Sequence, residues 1–489
     1  MLPQQASTRG LLFLNVLPEV PRLGGDNVSK INLILAALGL SAVLAGPAWG
    51  YGWIPGKGEP IPVEESIEAM MRNNHSLKAL QENRSAVGHE IDRAKAGWGP
   101  RVDVVARGGF GYLDNSTTRS YETDSASPYS SASLLVTQPL WDGFRTLGRV
   151  REAEATYRSL DHRVLDNATT LALDAIIAHV DVLRRAEILD LAKENVAAHE
   201  DILRKARERA EHGVDTMADV TQAQSRLARA KSALSEAEKN LRIGEDTYTR
   251  LTDHRLVGVK LAPVPMPSKM YNNPEEVLAL ARENNPKMSA FKEDVTAARA
   301  VKQQVKAAYS PTVDIEMGPS YSDRDGRHEH FTSEFGVAAV VRWNLFNSMA
   351  DVNENKAAAA RIRQSRQTLY DFMDSLKLSV QESWAEYVSA QEQLAFYNEA
   401  VEYNLATRDA YQEQFVVGER SLLDVLDAEN ELFNSSSQAC TANGNALIAA
   451  YRMKALTGEL IPSFNIRTAI LKVTPSDHEP LDQMRQPEW

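Results

Sequence analysis

Few side chains in this sequence could do chemistry, and they are scattered. His328-Glu329-His330, following Asp323-Arg324-Asp325-Gly326, offers imidazoles and carboxylates to a metal. The acid spacing lacks a complete calcium motif, however, and the stretch falls in a loop joining two strands, so no metal is expected there. Cys440 is the single cysteine, which permits neither an internal disulfide nor a cysteine-rich metal site. It reads as a small buried helix residue. Asn115-Ser116-Thr117 fits a glycosylation sequon but reads as a polar loop. There is no phosphate-binding glycine loop, zinc-hydrolase helix or nucleophile elbow, so neither a catalytic residue nor a cofactor follows, and an enzyme is not expected. A formal charge of -12, with no basic stripe carrying interleaved aromatics, argues against nucleic acid as a partner.

What recurs instead is a conformational pattern. Gly213, Thr216 and Asp219 in GVDTMADVTQAQSRL repeat as Gly418, Ser421 and Asp424 in GERSLLDVLDAENEL. A glycine can end one helix in the left-handed conformation, and a hydroxyl residue followed three positions later by an acid caps the next. Each copy therefore reads as the tip of a helical hairpin.

The repeat extends far beyond the tips. Asn73-Asn74-His75-Ser76-Leu77 matches Asn284-Asn285-Pro286-Lys287-Met288, and Pro100-Arg101-Val102-Asp103-Val104 matches Pro311-Thr312-Val313-Asp314-Ile315, both at an offset of 211. Past the β segment the offset is 205, with Leu140-Trp141-Asp142 matching Leu345-Phe346-Asn347 and Leu251-Thr252 matching Leu456-Thr457. The expected organisation is a signal peptide over 1–48, a first repeat over 49–270, a second over 271–460 and a loose tail over 461–489. The leader rests on the apolar run from Ile31 to Leu44, preceded by Lys30 and followed by Ala45-Gly46-Pro47-Ala48, with cleavage after Ala48. The long stretch before Val28 suggests a start later than Met1.

In the first repeat, helices are expected over 63–97, strands over 101–141 and a helical hairpin over 147–252. In the second, the corresponding spans are 274–308, 312–345 and 350–457. Val102, Val104, Ala106, Phe110 and Tyr112 fall on one face with Arg101, Asp103, Arg107 and Gly109 on the other, and Val313, Ile315, Met317 and Tyr321 share one face in the same way, which marks strands with one apolar face. Runs of this length can cross a bilayer when tilted, and several end in aromatics. Four strands cannot close a membrane barrel, and an open edge is prohibited in lipid, so several chains must contribute. Three would give twelve strands. Val164, Ala168, Leu171, Ala175, Ala178 and Val182 open a seam in alternating steps of three and four, and Leu369, Met373, Leu376 and Val380 keep its register in the second copy. From about Leu147 to His212 that helix is roughly 100 Å long. The helix beginning at Met217 is about half as long, so the helix ending near Gly97 would stack on its end.

With these features the chain resembles the TolC-like outer membrane efflux proteins of Gram-negative bacteria. The duplicated pattern, the Pro100, Pro311 and Pro139 junctions, Gln138-Pro139-Leu140-Trp141-Asp142-Gly143 and Ser421-Leu422-Leu423-Asp424-Val425-Leu426-Asp427-Ala428 carry the likeness. The resemblance implies a mainly α fold with a transmembrane β part: a homotrimer with a twelve-stranded barrel in outer membrane lipid and a periplasmic α-helical tunnel. Its tip would meet a periplasmic adaptor and an inner membrane transporter, an ABC transporter or another type. The likeness is greatest to components of type I secretion; a small-molecule efflux duct of the same fold, or a soluble periplasmic coiled-coil scaffold, are the other readings. It further implies that Asp424 and Asp427 line the periplasmic entrance, where symmetry-related carboxylates would repel and offer a cation site. Asp424 reads equally well as a helix cap, whereas Asp427 has no capping duty and is matched by neutral Gln222. Arg420 stands at the family's gate arginine and Asp219 at the acid of its link. Phe415 replaces a tyrosine and Ala218 a threonine in that link, so a latch here would lean on Arg420 with a carboxylate.

Overall fold

The computed structural model describes residues 60–112, 127–213, 216–256, 260–268, 270–324, 331–464 and 466. The chain divides into Met1–Gly56 and Lys57–Trp489, and every element below belongs to the second unit. The leader, the sequon at Asn115, the His328-Glu329-His330 loop and the tail past residue 466 lie outside the described residues.

Each repeat opens with a kinked pair of helices, α1 (Val63–Asn73) and α2 (His75–Lys95) in the first, α5 (Pro274–Asn284) and α6 (Pro286–Lys306) in the second. An asparagine makes each kink. Asn74 Oδ1 accepts from the Ser76 and Leu77 amides at 2.9 and 3.0 Å, and Asn285 Oδ1 accepts from the Met288 amide at 3.1 Å. Short 3-10 turns, Ala96–Trp98 and Ala307–Tyr309, then lead past Pro100 and Pro311 into strands.

The strands β1 (Arg101–Gly111), β2 (Ser127–Trp141), β3 (Thr312–Arg324) and β4 (Thr332–Arg342) form one antiparallel sheet in that order. The two hairpins read from the sequence are thus joined through β2 and β3. Register places Val102, Val136, Met317 and Val337 in one row across all four strands, and Arg101, Thr137, Glu316 and Ala338 in a row on the other face. Directly paired residues share a face. One side of the sheet is therefore mainly apolar, with Val104 71% and Phe335 70% exposed, and its polar residues Ser130, Asp323 and Ser333 gather at the far end of the strands. The other carries charge, including Arg342 bonded to Asp314 at 3.0 Å. Pro139, which has no amide to donate, lies inside β2 where the register shifts between residues 139 and 141. β4 ends at Arg342, short of the expected 345, because the chain turns away: Trp343 Nε1 donates to the Tyr309 carbonyl at 3.3 Å.

Two helices of 67 residues follow the hairpins, α3 (Arg145–Glu211) and α7 (Ala350–Val416), each returning through a shorter one, α4 (Met217–Thr252) and α8 (Leu422–Leu456). α3 begins two residues before the expected 147 because the Asp142 carboxylate accepts from the Arg145 and Thr146 amides at 3.1 and 2.6 Å. Gly143 permits that corner: its φ is +69°, and a Cβ there would stand 2.7 Å from the Ser310 Cβ. A last short helix, α9 (Leu460–Ser463), closes the described chain.

The short helices complete composite rods. Asn73 Nδ2 donates to the Thr252 carbonyl at the end of α4 at 3.1 Å, and Asn285 Nδ2 donates to the Leu456 carbonyl at the end of α8 at 3.0 Å. Val164, Ala168, Leu171, Ala175, Ala178 and Val182 are all buried, as the seam requires. α3 packs against α2 and α6 toward the sheet and against α4 and α8 toward the tip, whereas α7 packs against α6 and α8. Along α7 only Ala358, Leu376, Val380, Ser383, Ala390 and Phe415 are buried, and Tyr370, Phe396 and Tyr403 are more than half exposed.

Candidate gate at the helical tip

Gly213 and Gly418, at φ +75° and +85°, end the two long helices. Thr216 then makes a reciprocal cap with Asp219: the Asp219 amide donates to Thr216 Oγ1 at 3.3 Å, and the Thr216 amide donates to Asp219 Oδ2 at 3.0 Å. The Thr216 hydroxyl, donating at 2.7 Å, and that amide hold the Asp219 carboxyl below its ordinary range. Ser421 Oγ accepts from the Asp424 amide at 3.2 Å and donates to Asp424 Oδ2 at 2.9 Å.

Behind the caps, the two hairpins share a small apolar cluster. Ile202, Leu203 and Ala206 of α3, Val220 and Ala223 of α4, and Val425 and Leu426 of α8 pack with Phe415. Phe415 is buried, and Arg209 of α3 stacks on its ring at 4.6 Å while donating to its carbonyl at 3.1 Å. The residue thus serves the apolar cluster and gives Arg209 an acceptor from the other hairpin.

Arg420 and Asp219 are not brought together among the described contacts. Arg420 stays within its own hairpin, stacking on Tyr411 at 4.1 Å, donating to Gln414 Oε1 at 3.0 Å and lying 3.7 Å from Asp424. Asp427 crosses instead: its Oδ1 accepts from Arg226 Nη2 of α4 at 2.7 Å. Asp424, Asp427, Glu431 and Tyr411 line a hollow of about 290 Å³. Arg226 is the residue that reading the sequence missed. A signal was present, since at the 205-residue offset Arg226 matches Glu431, a reversal of charge like that of Asp215 against Arg420.

Elsewhere, burial and the Glu187 carboxylate push the Cys440 thiol up to about 12, so it stays protonated and unreactive. Among the described residues no group of three or more His, Cys, Asp or Glu could hold a metal ion. No described helix is long and apolar enough to cross a membrane. The sheet, apolar on one face, is the membrane-facing candidate.

A sheet of this kind continuous with long helical hairpins that close at a polar tip defines a channel wall, part β and part α-helical tunnel. The chain belongs to the outer membrane efflux protein family, whose pattern matches residues 67–252 and 277–459, one match in each repeat. It is 23% identical over 424 residues to the outer membrane efflux protein BepC of Brucella suis, covering 83% of this chain and 87% of that one. It is 22% identical to the alkaline protease secretion protein AprF of Pseudomonas aeruginosa, covering 74% and 77%. The crystal structure of VceC from Vibrio cholerae superposes with a TM-score of 0.69 at 14% identity, covering 81% of this chain and 96% of that one. The protein is an outer membrane channel component whose helices extend into the periplasm.

Proposed function

We propose that three copies of this chain form a passive exit duct for type I protein secretion. Their pooled strands would make a twelve-stranded barrel, and their helices a tunnel whose tip meets a periplasmic adaptor and an inner membrane transporter. The observation that carries this reading is the pair of open edges. β1 and β4 each have a whole side without a partner among the described residues, and α7 has one free flank while α2 and α4 have the opposite one. Roughly five residues per edge strand aim their amide and carbonyl outward. In lipid each unsatisfied group costs several kcal/mol, so a lone sheet would be unstable by tens. A head-to-tail ring satisfies the sheet edges and the helix flanks with one operation. The duct does no bond chemistry; a partner supplies energy, and opening the tip controls flow. Asp424 and Asp427 are proposed to line the entrance and Arg420 to steady the second hairpin.

Similarity to AprF, named for alkaline protease secretion, supports a polypeptide cargo, and 23% identity over 398 residues to the toluene efflux pump outer membrane protein TtgI of Pseudomonas putida supports the second reading, a duct for small molecules. Deleting the gene separates them. Loss of specific polypeptides from the culture medium, with unchanged sensitivity to toxic compounds, is the expected result. Increased sensitivity with an unchanged secreted set would favour small-molecule efflux.

A further inference from the structure

Resting on the duct reading, we propose that β4 of one copy pairs with β1 of the next in one defined register, which sets Arg342 directly opposite Asp103 across the seam. The stagger of the ring narrows the choice. Strands tilted by about 35–45°, about 4.8 Å apart and rising about 3.3 Å per residue, close a ring of twelve only if the register shifts by about 12–18 residues per circuit. Threefold symmetry divides that shift into about four to six residues per chain. An odd shift would turn the charged face of one copy to the lipid side of the next, so the shift is even. Within one chain the row from Arg101 crosses Thr137 and Glu316 to reach Ala338, and β4 continues past that row to Arg342 on the side of the helices. A shift in that direction keeps the helix-side ends of β4 and the next β1 level, whereas the opposite direction would leave most of β4 facing no strand. A shift of four sets Arg342 opposite Arg101, and a shift of six sets it opposite Asp103.

Three juxtapositions select the second. On the charged face, a shift of four opposes two guanidiniums, which is destabilising, and a shift of six opposes a base and an acid. Arg342 already holds Asp314, at 3.0 Å, and Glu316, while Arg101 holds Asp103 at 2.7 Å, so the new pair joins these groups into one network across the seam. On the same face the ring of Tyr129, from β2, covers Gly109, its hydroxyl 3.0 Å from where a Cβ would stand. A large side chain across the seam would meet that hydroxyl. A shift of six brings Gly336 there, and a shift of four brings Glu334. On the apolar face, Phe110 and Phe335 are both largely exposed, and only the shift of six opposes them as an aromatic pair. The edge of the sheet thus fits a second copy of this chain and penalises a slip of two residues. The same register places the strand tilt at the steep end of its range, about 45°.

The test is disulfide formation in the full-length protein assembled in the outer membrane, with Val340→Cys combined in turn with Val105→Cys, Asp103→Cys and Arg107→Cys. Directly opposed residues have Cβ atoms about 4.5–5.5 Å apart, and partners two residues away lie about 7–8 Å off, out of easy reach of a disulfide. In the proposed register Val340 faces Val105. After oxidation that combination is expected to give several-fold more chain linked to chain on a non-reducing gel than either other combination, and the single variants none, since Cys440 is buried. Preferred linkage to Asp103→Cys or to Arg107→Cys would overturn the register. Ala339→Cys with Ala106→Cys reads the same register from the apolar face, should a variant of the charged face fail to assemble. No linkage in either pair, from chains that extract as trimers, would overturn the seam while leaving the duct intact. Wild-type chains that form no trimer would overturn the duct reading itself.

Discussion

The Ala262 carbonyl can only accept, so His179 Nε2, 2.8 Å away, carries the ring proton and Nδ1 is left as an acceptor. Ser66 Oγ lies 2.9 Å from that Nδ1 and 2.6 Å from the Tyr248 hydroxyl, so Tyr248 donates to Ser66 and Ser66 donates to His179. With the neutral imidazole that burial favours, this chain of bonds ties α1, α3 and α4 together. Burial pushes the His179 imidazole below its ordinary value of about 6.5, and His199, buried beside Arg226, is shifted the same way, first by burial. Because the folded state resists protonation where the unfolded state accepts it, both residues withdraw stability as pH falls through about 6.5. A thermal unfolding series should show the midpoint dropping between neutral and mildly acidic pH, and His179→Gln should flatten the slope. A midpoint independent of pH in that window would contradict the bond order assigned here. At the tip, a partly exposed ion pair such as Arg226 with Asp427 is worth about 0.2–1 kcal/mol. Under the entrance reading, Asp427→Asn should also weaken block of the pore by polyvalent cations, and unchanged block would remove Asp427 from the lining.

At the scale of elements, what the sequence showed depended on whether the information was local. Steps of three and four from Val164 onward displayed the seam of α3, and the alternation of Val102, Val104, Ala106 and Phe110, despite Val105 on the other face, displayed the apolar face of β1, because each pattern is written within one element. The caps at Thr216 and Ser421 were legible for the same reason, their partners lying three residues away. The pairing of β2 with β3 was not, since it joins residues such as Ala132 and Tyr321 across the intervening helical hairpin. Nor was the crossing of Arg226 to Asp427, whose registry depends on how α4 and α8 both lean on α3. The ends of elements moved where a single side chain decided them, as Asp142 does for α3. The apolar face of the sheet gives the test at this scale. Val104→Arg places a charge on it, a cost of about 2–4 kcal/mol near the bilayer midplane. Oligomer recovered in detergent from the outer membrane fraction should fall sharply, whereas Val105→Arg, on the opposite face, should be tolerated. Loss from Val105→Arg with Val104→Arg tolerated would mean that the faces are assigned the wrong way, and equal loss from both would mean that neither face is turned to lipid alone.

For the whole molecule, the repeat supplies the economy of the design. One unit of kinked helix pair, hairpin and long helical return, used twice, gives a sheet with two open edges and a helical layer with two open flanks. Those are the surfaces a ring of identical copies needs. The differences between copies are concentrated where the copies do different work. The first long helix, α3, is buried on both flanks while α7 keeps one flank open, and the tip position that is Arg226 in one copy is Glu431 in the other. Pooling of strands between chains is the claim on which the barrel, the tunnel and the gate all depend. Its most direct test is the mass of the mature protein extracted in detergent from an outer membrane fraction. A trimer that dissociates on heating is the predicted result. A monomer or dimer that needs no detergent would contradict it and leave an exported coiled-coil scaffold in its place.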